Sequence, residues 1–133
     1  MIFIDTGALV ARHVSADQHH AAALAAWGRI ETSRDRCFTS NFVLDEVWTL
    51  LARRAGAAFA AERARRLYAS PRFTILRPEQ DDELDALSLL EKYADQAVSY
   101  TDCISFVLMR RTKIRRAFTF DAHFERAGFE RLA

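Results

Sequence analysis

The sequence predicts an α/β fold in which a mainly parallel sheet carries helices on both faces. Two observations lead there. Short apolar runs of three or four residues alternate with longer stretches of helical periodicity along the whole chain. Strands that alternate with helices pair in parallel, and the crossover helices cover the sheet. A third observation bears on function. Two of the runs lead into an aspartate, Asp5 and Asp121, and parallel sheets form their sites outside the carboxyl ends of the strands.

Taken in order, Ile2-Phe3-Ile4 reads as a buried strand that ends at Asp5 and turns into a helix at Thr6-Gly7. Residues 16–34 have a helical pattern, and Cys37-Phe38-Thr39 reads as the second strand. Ser40 or Asn41 can cap a helix running to Arg54, because either side chain can accept a bond from the free N–H groups of the first turn. Gly56 stops that helix, and another covers residues 58–69 until Pro71 ends it. Phe73-Thr74-Ile75-Leu76 is the third strand. Residues 79–93 and 100–111 are helical by pattern, Ala117-Phe118-Thr119-Phe120 is the fourth strand, and a short helix starts at Asp121. Residues 129–132 are placed as an edge strand. No repeat, low-complexity tract or Pro/Gly-rich linker divides the chain, so residues 1–133 are read as a single domain.

Half of the residues are apolar, enough for a sizeable core, yet no run reaches the ~18 apolar residues that would span a membrane. Met1-Ile2-Phe3-Ile4-Asp5 lacks the basic region and long apolar stretch of a signal peptide, so the expected location is the cytoplasm, away from any membrane. Cys37 and Cys103 are too few and too far apart for a disulfide framework or a zinc site, and read as small buried hydrophobes. A net charge of +1 gives the molecule as a whole no strong pull on nucleic acid. Arg53, Arg54, Arg63, Arg65 and Arg66 form one basic stretch and Arg110, Arg111, Lys113, Arg115 and Arg116 another, with an acidic segment from Glu79 to Asp95 between them. Each such run alone reads as a solvated helix face.

Four carboxylates carry the functional argument. Asp5 and Asp121 each follow a strand, where an aspartate serves equally as a helix cap or as a ligand. Glu46 lies at the edge of the apolar arc formed by Val43, Leu44, Val47, Leu50 and Leu51, from which it can reach over the top of the sheet, whereas its neighbour Asp45 points to the wet side. Asp102 shares a face with Phe106 and Met109 on a helix that is apolar nearly all round. A carboxylate there is costly unless paired or bound to a cation. The competing use of Asp102 is the capping box Ser99-x-x-Asp102, and one residue can do both. Jointly the four say more. Two end strands, and two open helices that must begin at the same edge of the sheet. Gathered acids repel unless something neutralises them. A set of oxygen ligands with no obligatory His or Cys suits Mg²⁺ or Mn²⁺, which typically act on phosphates.

Ile4-Asp5-Thr6-Gly7-Ala8-Leu9, Thr39-Ser40-Asn41-Phe42-Val43-Leu44-Asp45-Glu46-Val47, Ser99-Tyr100-Thr101-Asp102-Cys103-Ile104-Ser105-Phe106 and Phe118-Thr119-Phe120-Asp121-Ala122-His123-Phe124 closely resemble, in order and spacing, the motifs of PIN-domain proteins. The resemblance covers essentially the whole chain, and its compact size is similar to VapC-type toxins of bacterial toxin–antitoxin pairs. It implies a three-layer α/β/α sandwich and Mg²⁺- or Mn²⁺-dependent RNA cleavage, with Asp5, Glu46, Asp102 and Asp121 at the matching catalytic and metal positions. Thr6 and Thr119 match supporting hydroxyl positions. The resemblance further implies a homodimer held inactive by a cognate antitoxin. Asp45 and Asp95 are extra carboxylates whose role stays open.

Other residues are given smaller parts. His19 and His20 are adjacent, so they point about 100° apart on a helix and read as surface residues. His123 reads as an ordinary helix-face residue close to Asp121. Trp27 and Trp48 read as core or interface. Val47, Trp48 and Leu51 read first as core and second as apolar surface for an antitoxin helix. Arg110 to Arg116 lie toward the far edge of the sheet, since Asp102 and Arg111 are separated by roughly 13 Å of helix. Arg53 and Arg54 are the better candidates for RNA contact, about two helical turns from Glu46. Two non-enzymatic alternatives are a receiver-like domain and a PIN fold that binds RNA or protein without cutting. A receiver needs an aspartate after its third strand and a late lysine, but Arg77-Pro78 follows that strand and the only lysines are Lys92 and Lys113. The intact acids argue against a non-cutting module.

Overall fold

The structure, a computed structural model, describes residues 1–133. Its elements in order are β1 (Ile2–Ile4), α1 (Thr6–His13), α2 (His20–Thr32), β2 (Cys37–Ser40), α3 (Asn41–Ala55), α4 (Ala57–Ala69), β3 (Phe73–Leu76), α5 (Gln80–Lys92), a 3-10 turn (Ala94–Gln96), α6 (Tyr100–Thr112), β4 (Arg116–Phe118), α7 (His123–Arg126) and β5 (Glu130–Leu132). The five strands form one sheet in the order β3-β2-β1-β4-β5, every pairing parallel. β1 is central, and its Ile2, Phe3 and Ile4 are fully buried.

That order explains where a site can form. The chain moves from β1 through β2 to β3 in one direction, then jumps back across β1 to β4 and β5. Parallel crossovers are right-handed, so α1 to α4 fall on one face and α5 to α7 on the other. Between β1 and β4 the direction reverses, which opens a crevice at the carboxyl ends of these two strands. The core packs to match. Trp27 of α2 leans on Phe118 and Phe73 of the sheet. On the other face Phe106 of α6 meets Phe124 edge-on at 5.0 Å and stacks on Phe129 at 5.8 Å.

The structure departs from the sequence reading in two places. The helix expected over 16–34 begins only at His20, because residues 14–19 form a loop built on Asp17. The Asp17 carboxylate accepts the His19 backbone N–H at 2.9 Å, and its carbonyl accepts that of His20 at 3.0 Å. The fourth strand, expected to reach Phe120, stops at Phe118. There the Thr119 hydroxyl takes the Asp121 backbone N–H at 3.0 Å and turns the chain out of the sheet. Val47 and Leu51 are wholly buried, in keeping with their first reading as core, so the second reading, apolar surface for a partner helix, falls away for these two; Trp48 is half-buried. The edge strand placed at residues 129–132 is present as β5, parallel to β4. Cys37 and Cys103 are free and buried, and burial pushes the Cys37 thiol up to about 11, so it is inert.

Phe106 ties α6 to α7 and to the approach to β5. Phe106→Ala should destabilise the fold by ~3–5 kcal/mol in urea unfolding, while Asp45→Ala, on the exposed side of α3, should stay within about 0.5 kcal/mol of the parent. Equal effects from the two substitutions would contradict this packing.

Candidate metal centre

Asp5 sits at the carboxyl end of β1, and its backbone N–H donates to the Phe118 carbonyl at 3.0 Å. Its backbone is extended, and its side chain does not cap α1. Instead Asp5 Oδ2 accepts the Thr119 hydroxyl at 2.8 Å. That hydroxyl has one proton, which it gives to Asp5, and a lone pair with which it accepts the Asp121 N–H. One threonine therefore sets the spacing between two acids on neighbouring strands.

Asp121 in turn accepts the His123 N–H at 2.9 Å, which starts the turn into α7. Its carboxylate also meets the His123 ring, with Nδ1 3.0 Å from Oδ1 and 3.1 Å from Oδ2. Asp102 completes the expected capping box. The Ser99 hydroxyl accepts the Asp102 N–H at 3.0 Å, and Asp102 Oδ2 accepts the Ser99 N–H at 3.3 Å. The same Asp102 oxygen lies 3.8 Å from His123 Nδ1. Glu46 arrives from the second turn of α3, where its Oε1 accepts the Thr6 hydroxyl at 2.7 Å.

All four acids line one open cavity of about 370 Å³ with Thr6, Gly7, Ser99 and Phe120. No lysine or arginine is among those lining residues, and the His123 ring is the basic group that lies against the acids. The electrostatics follow. Burial, and then the charge of Asp102, raises the Asp5 carboxyl to about 7, and the Thr119 hydrogen bond offsets only part of this. Asp102 is also held above the usual carboxylate range, by burial first and the charge of Asp121 next, with the Ser99 backbone bond pulling the other way. A site that strains its own acids toward protonation is one that a cation would stabilise. The donors fit a hard divalent ion. Carboxylate oxygens dominate, and single donor atoms of Asp102, Asp121 and His123 lie within 4.8 Å of one another.

The crevice thus gathers all four acids and Thr6, and Thr119, the other threonine singled out in the sequence, is buried behind it on Asp5. It does not gather Asp45 or Asp95, which are exposed and outside the cavity wall. Arg53 and Arg54 do not line it either. Arg54 binds Asp17 at 3.0 Å and so braces the loop between α1 and α2. His123, set aside from sequence as a helix-face residue, is part of the cluster. Its signal was the spacing Asp-x-His after a strand, because an aspartate that bonds the N–H two residues on folds that residue's side chain back toward itself.

An all-parallel sheet whose switch point holds four acids is the hallmark of a nuclease-like α/β domain, and residues 2–130 match the PIN domain, so the chain belongs to that family. Among its relatives, the 23S rRNA-specific endonuclease VapC20 of Mycobacterium tuberculosis, in strains CDC 1551 and H37Rv alike, is 37% identical over 133 residues, covering 97% of this chain and 95% of the relative. The crystal structure of Mycobacterium tuberculosis VapC20, described as a sarcin-ricin loop cleaving toxin, aligns with a TM-score of 0.87 at 33% identity over 97% of this chain and 96% of that one.

The raised Asp5 pKa has a signed consequence. The native state keeps a proton that the unfolded chain releases near the ordinary value of 3.8. Stability from this group is therefore full below that value and is lost as pH rises to about 7, by up to ~1.4 kcal/mol per pH unit. In EDTA, the melting temperature should fall across that window more steeply for the parent than for Asp5→Asn, and a divalent cation should restore more stability at neutral than at acid pH. Parallel pH profiles for the two proteins would show that Asp5 does not titrate there.

Proposed function

We propose that the chain is a metal-dependent endoribonuclease, the toxin of a toxin–antitoxin pair, and that its substrate is 23S rRNA at the sarcin-ricin loop. The observation that carries the reading is the convergence of Asp5, Glu46, Asp102 and Asp121 from four separate elements on one crevice without a basic residue in its wall. The identity to the VapC20 endonucleases, spread over nearly the full length of both chains, supports the choice of substrate.

Asp5, Glu46, Asp102 and Asp121 would hold the ion, Mg²⁺ or Mn²⁺. When bound, it lowers the pKa of a water and offsets charge on the phosphate and on the departing ribose oxygen. The protein's own part is placement. Thr119 fixes Asp5 against Asp121, Thr6 fixes Glu46, and Ser99 fixes Asp102 through the helix cap. The His123 ring holds the Asp121 carboxylate from outside and adds a nitrogen donor beside it. Such supporting partners matter because a ligand free to rotate loses affinity for its ion.

No helix is long and apolar enough to cross a membrane. We place the protein in the cytoplasm with its RNA substrate, as a homodimer restrained by a cognate antitoxin. An antitoxin arginine would suit the crevice, since guanidinium pairs bidentately with carboxylates. Arg53, exposed at the end of α3, stays available for an RNA phosphate, whereas Arg54 is assigned to bracing its loop.

Purified protein should cut 23S rRNA in Mg²⁺ or Mn²⁺ and stop in EDTA; full activity in EDTA would sink the metal mechanism. Asp102→Asn should abolish cleavage with a largely intact fold, Thr119→Val should lower it by roughly 10- to 100-fold, and Asp45→Asn should leave it unchanged. In cells, expression alone should slow growth, co-expression of the antitoxin should restore it, and Asp5→Ala should be harmless. Growth arrest by Asp5→Ala equal to the parent's would contradict the toxin reading.

A further inference from the structure

We propose that His19 and Phe120 form a nucleobase-stacking platform on the rim of the acidic crevice, which seats a base of the RNA beside the phosphate to be cut. The inference rests on the ribonuclease reading above and adds to it a means of gripping the substrate. The crevice needs one. Its wall is acidic and carries no lysine or arginine, so it repels a phosphodiester backbone, and Phe120 is its single apolar side chain.

The Phe120 ring does not stand alone. His19 lies flat on it, with ring centroids 4.3 Å apart and an interplanar angle of 5°. Both residues are half-buried. The pair is braced on its protein side. Phe118 meets Phe120 edge-on at 5.8 Å, and the α1 backbone at Gly7 lies so close that a Cβ there would sit 3.8 Å from the Phe120 ring. Asp17 fixes the His19 backbone at 2.9 Å, and Arg54 fixes Asp17 at 3.0 Å, so Arg54 acts as a positioning residue for the platform. The His19 ring takes part in no hydrogen bond or ion pair, whereas the neighbouring His20 ring is anchored to the Ala11 carbonyl at 2.6 Å. A flat ring pair that is packed behind, partly open in front and adjacent to the acidic cluster suits an unstacked base. Bases splayed out of RNA loops are commonly received by stacking on aromatic or histidine rings.

The test is a cycle between protein and RNA. A short RNA hairpin carrying the cut site is compared with versions made abasic at each nucleotide flanking the cut, using the parent, His19→Ala and His19→Phe. Stacking is worth on the order of 10-fold in binding per base. His19→Ala should therefore raise KM on the intact hairpin by about that factor with kcat little changed, and His19→Phe should retain near-parent values. One abasic position should cost the parent a similar factor and cost His19→Ala nothing more. Independent, multiplying losses at every flanking position would overturn the platform, as would His19→Phe being as impaired as His19→Ala. If His19→Ala fails to fold, the abasic series on the parent and His19→Phe still decides: one abasic position should cost both about the same factor, and no loss at any flanking position would overturn the platform. Failure of the parent to cut any RNA would overturn the ribonuclease reading together with this one, whereas cutting with independent losses overturns the platform alone.

Discussion

The hydrogen bond from Thr119 to Asp5 joins the two halves of the sheet at the point where their connectivity diverges. β1 and β4 are neighbours in space but stand at opposite ends of the chain, and the bond spans 114 positions. Burial makes it matter. Asp5 is only 7% exposed and Thr119 is fully buried, so an unbonded carboxylate there would carry the whole cost of desolvation. The same hydroxyl then stops β4 and delivers Asp121 to the crevice. The local chain path and the spacing of two acids therefore depend on one side chain.

Fold and site were legible in the sequence to different depths. The strand positions were readable because three- and four-residue apolar runs beside acids and glycines have few other uses. Asp102 was readable because a carboxylate on a helix apolar nearly all round demands a partner, and Glu46 because it sits at the edge of an apolar arc. What could not be read was set by side chains meeting across the chain. The loop at residues 14–19 depends on Asp17 being gripped by Arg54, 37 positions away. The early end of β4 depends on Thr119, whose β-branched side chain fits a strand equally well by propensity. His123 depends on a turn whose geometry follows from Asp121 bonding two residues ahead.

The helix cap made by Asp102 is compatible with the ion-binding role proposed for the same carboxylate. One oxygen, Oδ2, accepts the Ser99 N–H as the reciprocal half of the capping box. That same oxygen lies 3.8 Å from His123 Nδ1, and the carboxylate stays within 4.8 Å of donor atoms of Asp121 and His123. The cap fixes the rotamer, so the carboxylate is already in place when a cation arrives. The cost appears as the raised pKa of Asp102 and Asp5, a destabilisation confined to the site and offset by the aromatic packing beneath it. Asp121 repeats the arrangement: its Oδ1 starts the turn into α7 while its carboxylate stays one-third exposed.

The basic residues complete the argument by where they are engaged. Arg111 binds Asp82 at 2.8 Å on the α5–α6 side, and Arg116 binds Asp35 at 3.1 Å near the amino ends of the strands. Arg66 and Arg63 share Glu62 on α4, and Arg54 holds Asp17. Five of the ten cations in the two basic runs, Arg54, Arg63, Arg66, Arg111 and Arg116, are thus committed to ion pairs, in a molecule with a net charge of +1. Such a surface draws RNA weakly by charge alone, since non-specific affinity scales with the phosphates that free cations can neutralise. Discrimination between RNAs must then come from shape and from contacts close to the acids. That is the regime in which a folded loop with displaced bases is a better substrate than an unstructured strand of the same charge.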